Sequence, residues 1–119
     1  MPGCLDQLAH FVGLQQEREL FNVHVVVADA FTFVRECRDR YDMICVDLYV
    51  GGKMAHGVFA APFLRDSARI LTPEGVATFN LWRSPYVDDQ LRRLRRELRV
   101  SEITAIDDNI VVSCSRLDS

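Results

Sequence analysis

Two short apolar runs in the sequence each end on an aspartate, and this pattern limits the fold more than any other feature. Residues 23–28 read Val-His-Val-Val-Val-Ala and lead into Asp29, and residues 43–46 read Met-Ile-Cys-Val and lead into Asp47. Short runs rich in β-branched residues predict buried strands. In open α/β sheets, ligands bind beyond the carboxyl ends of the strands, so both carboxylates are candidate site residues.

Helical patterns alternate with these runs and predict an α/β fold. The predicted elements are a helix over 5–12, a strand over 23–28, a helix over 30–37, a strand over 43–47, a loop over 48–57, a helix up to Leu71, a turn over 72–75, a strand over 76–81, an arginine-rich helix, and a hairpin of strands over 100–106 and 110–115. The second apolar run indicates burial on both faces. We therefore expect one domain over residues 1–119, with a mostly parallel sheet and a C-terminal antiparallel hairpin.

Composition and charge exclude several classes of function. The chain has 119 residues, is 49% hydrophobic and carries a formal net charge of -3, which argues against general attraction to nucleic acid or to anionic membranes. No apolar run has the length of a membrane span. The N-terminus lacks a signal-peptide pattern, which predicts a cytoplasmic protein with reduced cysteines. The histidines and cysteines show no metal-ligand spacing, so no metal site is expected.

Each chemistry-bearing residue has a structural interpretation beside the functional one. Asp29 can cap the following helix, which is the commoner role, or accept hydrogen bonds from an adenine or a ribose. The Asp47 carboxylate can bind an Arg, a Lys or a backbone amide in a structural role, or it can deprotonate an amine, and the sequence leaves both open. Residues 51–53 (Gly-Gly-Lys) fail the P-loop pattern because Met54 replaces the required Ser or Thr. The arginines of residues 92–99 share a helix with a leucine stripe, which favours a solvated basic face.

Three segments carry a family resemblance through their joint order and spacing. Residues 25–30 read Val-Val-Val-Ala-Asp-Ala, residues 41–47 read Tyr-Asp-Met-Ile-Cys-Val-Asp, and residues 71–81 read Leu-Thr-Pro-Glu-Gly-Val-Ala-Thr-Phe-Asn-Leu. The chain from Leu5 to about residue 81 resembles the spermidine synthase family and, more broadly, the S-adenosylmethionine-dependent methyltransferase superfamily. The resemblance implies a Rossmann-like, class I methyltransferase-type sheet.

The resemblance also implies roles for matching residues. Asp29 and the backbone of Ala30 would lie against the adenine of S-adenosylmethionine or its decarboxylated form. Asp47 would act as the catalytic carboxylate that deprotonates an attacking amine, and Tyr49 would border a small-molecule amine or methyl acceptor. Val50 stands where spermidine synthases carry a second aspartate.

The front of the chain departs from the family pattern. Pro2 matches a proline that follows the family's ribose-binding acid, so the glycine-rich loop and that acid would lie upstream of Met1. We therefore expect the C-terminal part of such a domain, truncated at its N-terminus and weakly active or inactive as this chain. Unpaired sheet edges are a pairing hazard. The run over 23–28 is accordingly expected to pair with the strand over 43–47 or with a partner chain, which favours a homodimer.

Three functions follow from these observations. The first is an aminopropyl or methyl transferase that uses an S-adenosylmethionine-type donor. The second is a non-catalytic oligomerisation or partner-binding module derived from the same fold. Nucleic-acid binding through the arginine-rich helix is a distant third, and it predicts binding that depends steeply on salt.

Overall fold

A computed structural model describes residues 23–50, 53–54 and 57–118 of the chain. The chain divides into two compact units, Met1–Ala30 and Phe31–Ser119. Only residues 23–30 of the first unit are described, so the helix predicted over residues 5–12 lies outside the described residues. In the described part, no helix is long and apolar enough to cross a membrane.

The described secondary structure begins with a short helix and continues as alternating strands and helices. Its elements are α1 (Ala30–Glu36), β1 (Tyr41–Val46), β2 (Tyr49–Val50), β3 (Lys53–Met54), α2 (Ala61–Arg69), β4 (Leu71–Trp82), α3 (Val87–Glu97), β5 (Leu98–Ile106) and β6 (Asn109–Arg116). Helix α2 carries a proline in its first turn, where the missing backbone N–H costs nothing. Helix α3 has Asp88 and Asp89 in its first turn and arginines in its last, which suits the helix dipole.

Four strands form one mixed sheet in the order β1-β4-β6-β5. Strand β4 pairs in parallel with β1 and antiparallel with β6, and β6 also pairs antiparallel with β5. The α/β fold is therefore confirmed, but a mostly parallel sheet is not, because only one of these three pairings is parallel. The segment predicted as a loop over 48–57 contains a separate antiparallel hairpin formed by β2 and β3.

One face of the sheet forms the core of the second unit. Ala77, Phe79 and Leu81 alternate along β4 and are fully buried, as are the residues opposite the first two on β6, Cys114 and Val112. Helices α1, α2 and α3 contribute buried apolar residues to the same cluster, namely Val34, Phe63, Leu64, Leu91 and Leu94. This alternation is what a sheet covered by helices on one face requires.

The apolar run at residues 23–28 does not form the predicted strand. Val26 and Val27 are 63% and 72% exposed, and none of the described strands pairs with this run. A strand requires a neighbour for its backbone hydrogen bonds, and a β-branched composition cannot replace one. The run is therefore not a strand within the described residues, and its expected pairing, with the strand over 43–47 or with a partner chain, stays a prediction.

Strand β1 is found where it was predicted, but it is not buried on both faces. Val46 is its only buried residue, whereas Met43 is 62% exposed. Among the described strands β1 has a single neighbour, β4, and only the face that carries Ile44 and Val46 turns toward the core. Strand β1 is thus more apolar than a strand with only one face turned toward the core needs to be.

The predicted turn over residues 72–75 lies inside β4 as an irregularity of the strand. Tyr41 pairs with Leu71 and Met43 pairs with Val76, so β4 carries three extra residues against β1 at this point. A Cβ added at Gly75 would stand 3.0 Å from the Tyr41 carbonyl oxygen and 3.0 Å from the Thr72 hydroxyl oxygen. The turn-forming residues therefore bend a continuous strand instead of preceding it.

The C-terminal hairpin is confirmed. Strands β5 and β6 are joined by Asp107 and Asp108, and Asp107 has a φ of 53°. Aspartate is one of the few residues with a side chain that tolerates this left-handed conformation. The backbone N–H of Arg83 donates to the Asp108 carbonyl oxygen at 2.9 Å, which ties the turn to the end of β4.

Arg69 links the last turn of α2 to the end of α1. Its guanidinium donates to the carbonyl oxygens of Val34 at 2.6 Å, Cys37 at 2.7 Å and Arg35 at 3.2 Å. The last carbonyls of a helix have no intrahelical donor, and a cation there also suits the helix dipole. One side chain therefore caps α1 and holds it against α2.

We expect Arg69→Met to lower the free energy of unfolding by about 1–2 kcal/mol, because it leaves the α1 carbonyls without their charged donor. Arg65 on the same helix is the matched control, since it forms an exposed ion pair with Glu97 at 3.2 Å. Arg65→Met should cost less than about 0.5 kcal/mol. Urea denaturation measures both variants, and equal losses would contradict the capping role of Arg69.

Candidate functional site

The parallel pairing of β1 and β4 brings their carboxyl ends to the same edge of the sheet. Asp47 directly follows β1, and Trp82 is the last residue of β4. Because Val46 lies opposite Phe79, continuation of the register places Asp47 beside Asn80. The sequence-based expectation of a carboxylate at this edge is met, and the Asp47 residue is exposed to solvent.

Tyr49 is held at this edge by two contacts with β4. Its hydroxyl donates a hydrogen bond to the carbonyl oxygen of Asn80 at 2.6 Å. Its ring stacks on the indole of Trp82, with centroids 4.5 Å apart and an angle of 18° between the planes. Trp82 remains 45% exposed, so the stacked pair presents an aromatic surface to solvent.

The ionisation of Tyr49 is coupled to Asp47. Partial burial raises the pKa of the Tyr49 hydroxyl, the negative charge of Asp47 raises it further, and a backbone hydrogen bond from Trp82 opposes these effects. The raised pKa keeps the hydroxyl protonated at neutral pH. Tyr49 therefore acts as a hydrogen-bond donor here and not as a base.

An exposed carboxylate beside an aromatic pair suits a positively charged amine. The carboxylate can accept hydrogen bonds from an ammonium group, and the faces of Trp and Tyr rings attract cations. Asp47 is also the group of this set that can accept a proton from such an amine. The geometry therefore supports recognition of a cationic or amine-bearing molecule at this edge.

Sequence reasoning missed Trp82 and Asn80. Trp82 directly follows Leu81, the last residue of the strand predicted over 76–81. Parallel pairing of that strand with the strand over 43–47 places Trp82 near Asp47, but the sequence does not show which strands pair. Asn80 carries a side-chain oxygen that is buried and makes no hydrogen bond within the described part of the chain. The hydrogen bond that the Asn80 backbone carbonyl accepts from Tyr49 could not be predicted from residue type, because every residue offers a backbone carbonyl.

The predicted donor-binding residues lie at the boundary of the two units. Asp29 directly precedes helix α1, and Ala30 is the first residue of that helix. Both belong to the first unit, whereas Asp47 and Tyr49 belong to the second. The joint placement of the two aspartates in one site stays a prediction.

Two other sequence interpretations concern the loop and the arginines. The side chains of the glycine–lysine segment after Tyr49 are outside the described residues. In helix α3, Asp89 pairs with Arg92 at 3.2 Å and with Arg93 at 3.0 Å. These exposed pairs fit a solvated face. No group of three His, Cys, Asp or Glu residues that could hold a metal occurs in the described ranges.

Comparison with known proteins gives a family match and two similar structures. The model of the spermine/spermidine synthase domain family matches residues 9–93. No curated protein matched the chain. Human methyltransferase-like protein 13, solved in complex with SAH, superimposes with a TM-score of 0.70 at 24% identity, covering 78% of this chain and 49% of that chain.

A TehB-like SAM-dependent methyltransferase from Corynebacterium glutamicum is also similar, with a TM-score of 0.59 and 19% identity over 76% of this chain and 55% of that chain. At these identities the two structures establish the fold, which is that of SAM-dependent methyltransferases. This chain spans about half the length of each. Since the family model matches most of its residues, the chain belongs to the spermine/spermidine synthase domain family.

Proposed function

We propose that this chain forms the acceptor side of a transferase that uses an S-adenosylmethionine-type donor, with Asp47 as the base that receives a proton from an attacking amine. The observation that carries the proposal is the stacked Tyr49 and Trp82 pair together with the exposed Asp47, whose negative charge acts on Tyr49, at the sheet edge where ligands of such folds bind. Membership of the spermine/spermidine synthase domain family supports an amine as the acceptor.

The proposed role of Asp47 is limited to binding and proton transfer. The carboxylate attracts the ammonium form of the acceptor, and the aromatic pair limits where its carbon chain can lie. The donor, when bound, supplies an electrophilic carbon attached to a positively charged sulfur. Asp47 would first accept a proton from the bound ammonium, which frees the lone pair of the nitrogen. As that nitrogen forms its bond to the donor carbon, the carbon–sulfur bond would break and the sulfur would keep the bonding electrons.

The described residues fit the acceptor better than the donor. Asp47 and the aromatic pair lie in one unit and offer a charge and a surface that complement an amine. Asp29 and Ala30 would contact the adenine, as the family resemblance implies, and they are the described residues that we assign to the donor. Low activity of the isolated chain is part of the proposal, as the matched part of this chain covers 49% and 55% of the two similar structures.

Trp82 allows acceptor binding to be measured directly, since it is the chain's single tryptophan. We expect putrescine, a linear diamine, to change the Trp82 fluorescence saturably, with a dissociation constant in the millimolar range. Asp47→Asn should weaken binding by roughly tenfold or more, because it removes the carboxylate that pairs with the ammonium. Thermal melting of the variant verifies that it remains folded.

Asp42→Asn is the matched control for this titration. Asp42 lies at the opposite end of β1 and accepts a hydrogen bond from the Thr72 hydroxyl at 2.8 Å, which an asparagine oxygen can replace. Putrescine binding should be unchanged in this variant. Equal binding by wild type and Asp47→Asn would exclude Asp47 as the recognition group.

Donor binding requires a separate titration. Calorimetry with S-adenosylmethionine, decarboxylated S-adenosylmethionine and methylthioadenosine should give an affinity better than millimolar for at least one of them. Asp29→Ala should weaken that binding, because adenine loses its hydrogen-bond acceptor. Heat signals that are absent for all three nucleosides would contradict the transferase function of this chain.

The coupling between Asp47 and Tyr49 is open to measurement by pH titration. Ionised tyrosine quenches a nearby tryptophan, so Trp82 fluorescence reports the Tyr49 titration. The midpoint should lie above the ordinary tyrosine pKa of about 10. Asp47→Asn should lower the midpoint, because removal of the negative charge makes the tyrosinate less costly. An unchanged midpoint would contradict the proximity of the two groups.

A non-catalytic module derived from this fold is the second candidate function. The observation that favours it is the apolar strand β1, which has one neighbour among the described strands. A chain that spans about half of its structural relatives and presents such an edge is suited to associate with another polypeptide. Binding of putrescine and of the nucleosides would both be absent in this case.

A further inference from the structure

The candidate site combines one carboxylate with an aromatic surface. Asp47 is exposed, and the Tyr49 ring stacks on the Trp82 indole with centroids 4.5 Å apart. The Tyr49 hydroxyl already donates to the Asn80 carbonyl oxygen at 2.6 Å, so the part of this residue that can serve a ligand is its ring. Trp82 is 45% exposed, which leaves part of the indole open to contact. The pair can therefore pack against the apolar body of a ligand as well as attract its cation.

The two segments that lead away from this edge carry cations and no second carboxylate. Residues 48–64 and 80–87 contain Lys53 and Arg83 but neither aspartate nor glutamate. Arg83 directly follows β4, and its Nε donates to the Asp107 carbonyl oxygen at 2.9 Å. A second ammonium group of a bound amine would be repelled by such cations and would find no counterion in either segment. These segments therefore suit a ligand with one positive charge better than a ligand with two.

Two further carboxylates lie in the hairpin turn at the same end of the sheet. This turn, Asp107 and Asp108, joins β5 to β6, and β6 lies two strands away from β1, which is roughly 10 Å. Arg83 binds the turn through its guanidinium and through its backbone N–H, which donates to the Asp108 carbonyl oxygen at 2.9 Å. A cation therefore already occupies the turn. A polyamine long enough to bridge Asp47 and this turn is the alternative that the experiment has to exclude.

We propose that the acceptor is a monoamine with an aromatic body, an arylalkylamine, whose ammonium pairs with Asp47 and whose ring packs on the Tyr49–Trp82 pair. This inference rests on the proposed function and names the substrate class of the same site. The ring of such an amine gains contact with two aromatic side chains. The second ammonium of a short diamine gains nothing comparable, because it gives up hydration without a partner of opposite charge.

Titration of the full chain with amines of different body and charge tests the inference through Trp82 fluorescence. 2-Phenylethylamine and butylamine carry the same single ammonium, and putrescine carries two. The dissociation constant of 2-phenylethylamine should be roughly tenfold lower than that of butylamine and also lower than that of putrescine, because ring contacts add to the charge pair. Asp47→Asn should weaken binding of the two monoamines by the same factor, since both present the same ammonium to the carboxylate.

Tyr49→Phe and Tyr49→Leu are a matched pair of variants. Both lose the hydroxyl that donates to Asn80, and only Tyr49→Phe keeps a ring against Trp82. Tyr49→Phe should retain the tenfold preference for 2-phenylethylamine over butylamine, whereas Tyr49→Leu should reduce it to roughly threefold or less. Both variants keep the single tryptophan as the fluorescent probe. Circular dichroism verifies that both are folded.

The outcomes separate this inference from the function on which it rests. If none of the amines binds, the proposed function and the inference both fall. If putrescine or the triamine spermidine binds as tightly as 2-phenylethylamine, the aromatic monoamine is overturned and the amine site stands. An equal preference for 2-phenylethylamine in Tyr49→Phe and Tyr49→Leu would likewise overturn the assignment of the ligand ring to the aromatic pair.

Discussion

Strand β4 makes backbone hydrogen bonds along both of its edges, and the remaining described elements of the second unit are arranged around that pairing. Its alternating residues Ala77, Phe79 and Leu81 supply the face on which the helices pack. At its start, the Leu71 carbonyl oxygen accepts a hydrogen bond from Arg116 at 3.2 Å. At its end, Asn80 and Trp82 fix the position of Tyr49. One strand thus connects the core to the candidate site, because its alternating side chains pack in the core while the Asn80 carbonyl and the Trp82 ring contact Tyr49.

The elements that could be predicted from the sequence have a clear local residue pattern and pack or pair with a segment close to them in the chain. The β5–β6 hairpin and helices α2 and α3 belong to this class, since turn residues, a proline and leucine spacing define them. The run at residues 23–28 has an equally clear strand composition, yet it forms no strand. A strand depends on a neighbour as well as on its own residues, and the sequence pattern cannot state whether one is present.

The candidate site was predictable only in part, for a related reason. Asp47 was predicted from its place after a strand and from the family resemblance, and Tyr49 from the resemblance alone. Trp82 lies 33 positions beyond Tyr49 in the sequence, and the stacking of the two rings follows from the parallel register of β1 and β4. The stack changes the interpretation of Tyr49 as well. Its hydroxyl donates to a backbone carbonyl, so its contribution is a fixed aromatic surface, and the proposed proton transfer is assigned to Asp47 alone.

The order of strands in the sheet has a consequence for synthesis on the ribosome. Strand β6 follows β5 in the chain but lies between β4 and β5 in the sheet. When Trp82 has emerged, β4 can pair with β1 alone, and its other edge must wait for residues 109–116. At ordinary elongation rates that interval lasts roughly a few seconds. During it, β4 is exposed to whatever nascent chains or chaperones are nearby, and mature packing around Phe79 can begin only when β6 inserts.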